Sequence, residues 1–214
     1  RSTLFPYTTL FRSPAGECLS TPRIRAELEI DANEPRFRKI AFRMQELGVW
    51  TALFPGIRLG ETLERRLRVM ERLLSWARRL GVDFKGMGWL VGMAVVLTET
   101  LPNVRFSVMD RMSLTPAERR ELTQCFEAWP QVERFCTLKK TPRNSEVYLF
   151  FKDYGTVPLV YWMTCMKFAR SRRLVVQHLL SWVPLRGELT GNDLKAMGDR
   201  KSTRLNSSHP ARSR

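Results

Sequence analysis

From Leu63 to Leu80 an apolar residue returns at every third or fourth position. Leu63, Leu67, Met70, Leu73, Leu74, Ala77 and Leu80 make up the series. That is the period of a helix, not the two-residue alternation of a strand. Gly81 follows where such a helix ends. The opposite positions carry Arg65, Arg66, Arg68, Arg72, Arg78 and Arg79, relieved by Glu64 and Glu71. A helix over Glu61–Leu80 with one apolar and one guanidinium face needs neighbours to cover the first. The second reads as a solvated face with i,i+4 ion pairs or as a surface turned toward phosphates.

The helical period recurs along the chain. Thr21 caps and Pro22 opens a first helix carrying Ile24 and Leu28, with Arg23 and Glu27 spaced to pair on one face. Phe37, Ile40, Ala41, Met44 and Leu47 line a second, stopped by Gly48, with a final turn closed by Phe54 and Pro55. Trp89 to Leu101 is apolar nearly all round and predicts a central helix. Asn103 to Met112 is a short helix with Val104, Val108 and Met112 inward. Thr115-Pro116-Ala117-Glu118 has capping-box spacing and opens a helix to about Ala128, ended by Pro130. Residues 131–144 are expected to be the least regular part. Then come Glu146–Tyr154, with Val147, Phe150 and Phe151 buried, a helix Leu159–Ala169 opened by Pro158 with Arg170, Arg172 and Arg173 at its C-terminal end, where the dipole favours cations, and Leu174–Trp182. With no strand pattern and no Asn-Gly hairpin turn, the expectation is an all-α chain of roughly nine helices on short connections. No internal repeat points to a tetratricopeptide or ankyrin array.

Composition narrows the chemistry. Lys and Arg number 36 against 21 Asp and Glu, a formal +15. Such an excess suits a partner rich in phosphate, although many basic helical domains bind none. Cys18, Cys125, Cys136 and Cys165 are irregularly spaced, and His178 stands apart from any second histidine until His209. A zinc site needs about four ligands at close spacing, so no metal ligand is assigned. Reduced, buried thiols in a cytoplasmic protein are expected. The longest apolar run, Trp89 to Leu97, falls short of the ~20 residues of a spanning helix, so no membrane is expected as partner.

Two strings carry more specific information. Arg23-Ile-x-x-Glu27-Leu, Glu34-Pro35, Leu47-Gly48-Val49 and Leu53-Phe-Pro55-Gly-Ile57 occur in that order, and Leu189-Thr190-Gly191-Asn192-Asp193-Leu194 follows near the far end. Together they resemble the helical body of the bacterial class II tRNA nucleotidyltransferases, the CCA-adding and A-adding enzymes and their poly(A) polymerase relatives. Asp31 departs from the apolar residue usual in that family. The resemblance implies an irregular multi-helix body and tail without the catalytic α/β head. Arg23, Glu27, Gly48, Pro55, Thr190, Gly191 and Asp193 match family motifs and take structural roles under it. The parent enzyme would add nucleotides to RNA 3′ ends, using ATP, CTP and Mg²⁺. Its partners would be tRNA or another RNA 3′ end and the missing head and neck of its own chain.

Nucleotidyl transfer requires carboxylates that hold divalent metal. The chain has no Asp-x-Asp, and Asp31, Asp83, Asp110, Asp153 and Asp193 are scattered. No catalytic residue, metal ligand or cofactor site is therefore assigned. Gly86-Met-Gly88 has no following Lys-Ser/Thr and is not a phosphate loop. The residues expected to face RNA are Arg65, Arg68, Arg72, Lys139, Lys140, Arg170, Arg172, Arg173, Arg186 and Lys195. Trp162 and Trp182 are candidates for stacking on bases, with core packing the stronger expectation. The alternative reading is a stand-alone basic helical module that binds RNA or protein without enzymatic activity.

The chain ends read differently. Residues 1–13 resemble the translation of a widely used short-read sequencing adaptor, and Asp199–His209 resemble that of its partner. Both ends (1–13 and 199–214) are accordingly expected to be disordered. Residues 14–57 would form the helical segment after the neck, and 58–198 the body and tail. The two ends hold seven of the bases and one acid, so 14–198 retains +9 of the +15.

Overall fold

Gly88 to Val96 contains no charged residue, and all nine of its residues are buried. A helix apolar all round has no solvent face, so others must enclose it. A computed structural model describes residues 21–54, 56–79 and 87–182. The elements are α1 (Thr21–Asn33), α2 (Phe37–Glu46), α3 (Val49–Leu53), α4 (Glu61–Arg79) and α5 (Gly88–Val96). After the 3₁₀ turn Leu97–Glu99 come α6 (Pro102–Arg111), α7 (Pro116–Glu127), α8 (Trp129–Cys136) and α9 (Asn144–Phe151). Then α10 (Thr156–Cys165), α11 (Ala169–Gln177) and a π turn (His178–Trp182) complete the set. Among the described residues there is no strand, so the all-α expectation holds, although helices exceed the nine expected.

α10 is the second central helix. Its residues Val157 to Thr164 are all buried, and it packs against α5, α4 and α7. α1 covers another side of α5, and α2 lies on α4. Close approach is set at Gly92, where an added Cβ would stand 3.0 Å from the Phe37 ring. Gly48 adopts φ +72°, the left-handed conformation expected of a helix terminus. Trp162 is fully buried and its indole N–H donates to the Cys125 carbonyl at 2.9 Å. It is a core residue, not a stacking platform.

Several local expectations hold. Leu63, Leu67, Met70, Leu74 and Ala77 are the buried residues of α4. Thr115 and Glu118 form a reciprocal capping box at the start of α7. Three are corrected. Pro130 does not end a helix but sits in the first turn of α8, where its missing N–H costs nothing. Residues 129–136 are therefore helical, and the irregular stretch is only 137–143. Pro158 likewise lies within the first turn of α10, which ends at Cys165, with Met166 extended at ψ 129°. Arg23 and Glu27 do not pair with each other; Arg25 makes the ion pair on α1 instead, to Glu118 at 2.6 Å.

Candidate nucleic-acid interface

The helical period that buries one side of α4 fixes what the other side presents. At about 100° per residue, Arg65, Arg68, Arg72 and Arg79 fall within roughly 60° of each other, opposite the core. From first to last they span about 21 Å at 1.5 Å per residue. All four are exposed. Arg68 pairs with Glu64 at 3.1 Å, and Arg79 reaches Ser75 at 3.4 Å. Arg65 and Arg72 have no ionic partner among the described residues.

Of the three acids of α4, Glu61 lies on the ridge's own face at its N-terminal end, while Glu64 and Glu71 also serve α2. Arg38 on α2 places one guanidinium nitrogen 2.7 Å from Glu64. Its backbone N–H donates to Glu71 Oε1 at 2.9 Å, so Glu71 serves the uncapped N-terminus of α2 from a neighbouring helix. The ridge is thus left with a surplus of positive charge.

A second basic region is assembled from residues distant in sequence. Arg170 donates to Thr141 Oγ1 at 2.7 Å and to the Lys139 carbonyl at 3.5 Å. Ser171 donates to the Cys136 carbonyl at 3.0 Å. These bonds tie the end of α8 and the loop after it to the first turn of α11. Lys139, Lys140, Arg143, Lys167, Arg170 and Arg173 are all exposed around the junction. No acid occurs between Gly155 and Gly187, and Glu146 accepts from the backbone N–H of Arg143 at 2.6 Å.

The ten sequence candidates therefore separate. Arg65, Arg68 and Arg72 share the ridge, and Lys139, Lys140, Arg170 and Arg173 share the corner. Arg172 belongs to neither. It donates to the carbonyls of Met163 at 3.2 Å and Met166 at 2.6 Å, closing the C-terminal end of α10. The arginines at 170–173 also lie at a helix N-terminus, not at the C-terminus expected from the sequence. The dipole there opposes cations instead of favouring them. Arg186 and Lys195 lie outside the described residues, as do Pro55, Thr190, Gly191, Asp193 and both adaptor-like ends. Of Trp182 only the backbone is described.

Metal-ligating side chains do not gather among the described residues. No three His, Cys, Asp or Glu side chains converge to hold a metal ion. The carboxylate set that Mg²⁺ would need for nucleotidyl transfer is not found there, so the described residues do not fit that ion. Burial pushes the Cys136 thiol up to about 12 and the Cys125 thiol well above its ordinary value, which leaves both inert. No described helix is long and apolar enough to cross a membrane.

What the fold defines is a basic array of helices around two apolar ones. A similar helical fold occurs in solved CCA-adding enzymes. One, complexed with CTP, superposes with a TM-score of 0.66 over 88% of this chain and 44% of its own, at 19% identity. The Thermotoga maritima CCA-adding enzyme complexed with tRNA-CCA gives 0.63 over 83% of this chain and 42% of its own, at 20% identity. In sequence, the A-adding tRNA nucleotidyltransferase of Geobacter sulfurreducens is 25% identical over 181 residues, 82% of this chain and 20% of that protein. The chain thus spans a fifth of that relative and under half of these structures. No family model matches it.

Proposed function

We propose that this chain is the RNA-holding helical body of a nucleotidyltransferase that extends tRNA 3′ ends. The observation that carries the reading is the helical arrangement shared, over most of this chain, with an enzyme solved with tRNA. The A-adding relative supports it from the sequence side. Nucleotide addition with ATP, CTP and Mg²⁺ belongs to the parent enzyme under this reading, because the described residues supply no carboxylate set. Their part is to hold folded RNA through its backbone, as structured RNA is generally held.

The ridge is built for that role. Its guanidiniums repeat along one exposed line, and contacts of such a line to phosphates position RNA without selecting sequence. The test is titration of a labelled tRNA transcript with the full chain at several salt concentrations. Affinity is expected to fall steeply with salt. Arg65→Gln/Arg72→Gln is expected to reduce the log–log slope by about one per phosphate contact removed. Salt-independent binding, or a slope unchanged in the double variant, would overturn the reading.

A further inference from the structure

Phe168 occupies the position before the first turn of α11, with φ −96° and ψ 136°. Helices favour Ser, Thr, Asp or Asn there, because a short polar side chain satisfies a free backbone N–H. Phe168 provides no such bond, and its side chain is not buried either: it is 63% exposed. A lone exposed phenylalanine is unremarkable. This one sits in the basic corner. Lys167 precedes it, and Arg170 and Arg173 follow on the first two turns of α11. The bonds from Arg170 and Ser171 bring the segment 136–141 alongside, with Lys139, Lys140 and the exposed Leu138.

Two features of the corner call for an anion. Lys167 and Arg170 stand at the N-terminus of α11, where the dipole opposes them. Arg170 and Arg172 are offset by carbonyl or hydroxyl oxygens, but Arg173 has no partner among the described residues. An exposed ring in a segment whose chain neighbours and hydrogen-bonded loop carry cations can hold a base on its face and the flanking phosphates nearby.

We propose that Phe168 and the cations around it form a subsite for one unstacked nucleotide of RNA. The base lies on the Phe168 ring, and its phosphates meet Lys139, Lys167 and Arg173. This rests on the RNA-binding reading above and adds to it a distinction between duplex and single strand. The ridge takes backbone from either; the corner requires a base free to leave its stack.

The probes are two hairpin RNAs with the same stem, one blunt and one with a four-nucleotide 3′ overhang carrying 2-aminopurine. Phe168→Ala is expected to weaken binding of the overhang RNA by about five- to a hundred-fold, the range of one base–aromatic stack, and to leave the blunt hairpin unchanged. Fluorescence of 2-aminopurine should be quenched by the parent chain and not by Phe168→Ala. Phe168→Trp should preserve both effects. Equal loss on both RNAs, no loss on either, or a change in oligomeric state with Phe168→Ala would each overturn the subsite. If the parent chain binds neither hairpin, the RNA-binding reading itself fails; Arg65→Gln/Arg72→Gln weakening both RNAs while Phe168→Ala weakens neither rejects only the subsite.

Discussion

The ridge on α4 and the corner at α11 are both rich in arginine, yet they are made in opposite ways. The ridge comes from one continuous helix, and its cations line up because each is about one or two whole turns from the next. The corner joins two segments some 30 residues apart in sequence, held by three hydrogen bonds (31, 29 and 35 residues in separation). On the ridge an arginine's role follows from its position in the period. In the corner it depends on where a helix happens to break. Arg172 and Arg173 are neighbours in sequence, but one is folded back onto the Met163 and Met166 carbonyls and the other stands in solvent. Arg105 repeats the first role elsewhere, donating to the Leu97 and Thr98 carbonyls with its guanidinium 4.5 Å from the Phe126 ring centroid.

The pair Arg172 and Arg173 offers the sharpest contrast. Arg172→Ala removes both bonds that close α10 and leaves those carbonyls without the charge. A loss of about 1–3 kcal/mol is expected, read as a lower denaturant midpoint at unchanged slope. The salt dependence of RNA binding, measured where the variant is still folded, should not move. Arg173→Ala should do the reverse: stability within ~0.5 kcal/mol of the parent, and a salt slope smaller by about one. If the two variants behave alike, the division between closing a helix and facing RNA is wrong.

How much of this was legible in the sequence follows the same division. The α4 stripe, the left-handed Gly48 and the Thr115–Glu118 capping box are local, and each was readable from a few residues. The fold class followed because the helical period is unbroken by any strand signal. What the sequence hid is where helices restart. Proline is compatible with a first turn as well as with a stop, so Pro130 reads either way until packing decides. Cys165-Met166-Lys167-Phe168-Ala169 contains neither glycine nor proline, and nothing local marks it as a break. The break is held from outside, by Arg172 reaching back and Ser171 bonding across to Cys136. Missing it placed three arginines at the wrong end of a helix and left Phe168 unnoticed.

The ridge in turn depends on a residue that does not belong to it. Arg38 pairs with Glu64, which is shared with Arg68. Arg38→Gln hands Glu64 wholly to Arg68 and lowers the charge that phosphate meets. RNA affinity is expected to drop several-fold at low salt, less than for loss of two ridge arginines, with the difference shrinking as salt rises. Glu64→Gln in the same chain should restore it, and Arg38→Lys should never lose it. A drop that Glu64→Gln fails to reverse would mean that Arg38 acts on the ridge through packing alone.

Acid should separate the two regions with the smallest effect of the set. His178, in the π turn behind α11, is buried, with its ring 6.1 Å from Tyr148 and 5.7 Å from Phe151 between centroids. Burial pushes its pKa below the ordinary 6.5. The unfolded chain then takes up a proton at a higher pH than the folded one. Stability carried by the neutral ring is complete above pH 6.5 and is lost as pH falls toward the lower, folded value. The slope in that window is at most about 1.4 kcal/mol per pH unit. Denaturation at pH 7.5 and 5.5 should show the loss, and His178→Gln should flatten it. Hydrogen exchange gives the regional answer: amides of α9 and α11 are expected to exchange faster at the lower pH, after correction for intrinsic rates, while those of α4 hold. Equal acceleration in all three helices would show that ridge and corner open together, and that the two surfaces belong to one cooperative unit despite their different construction.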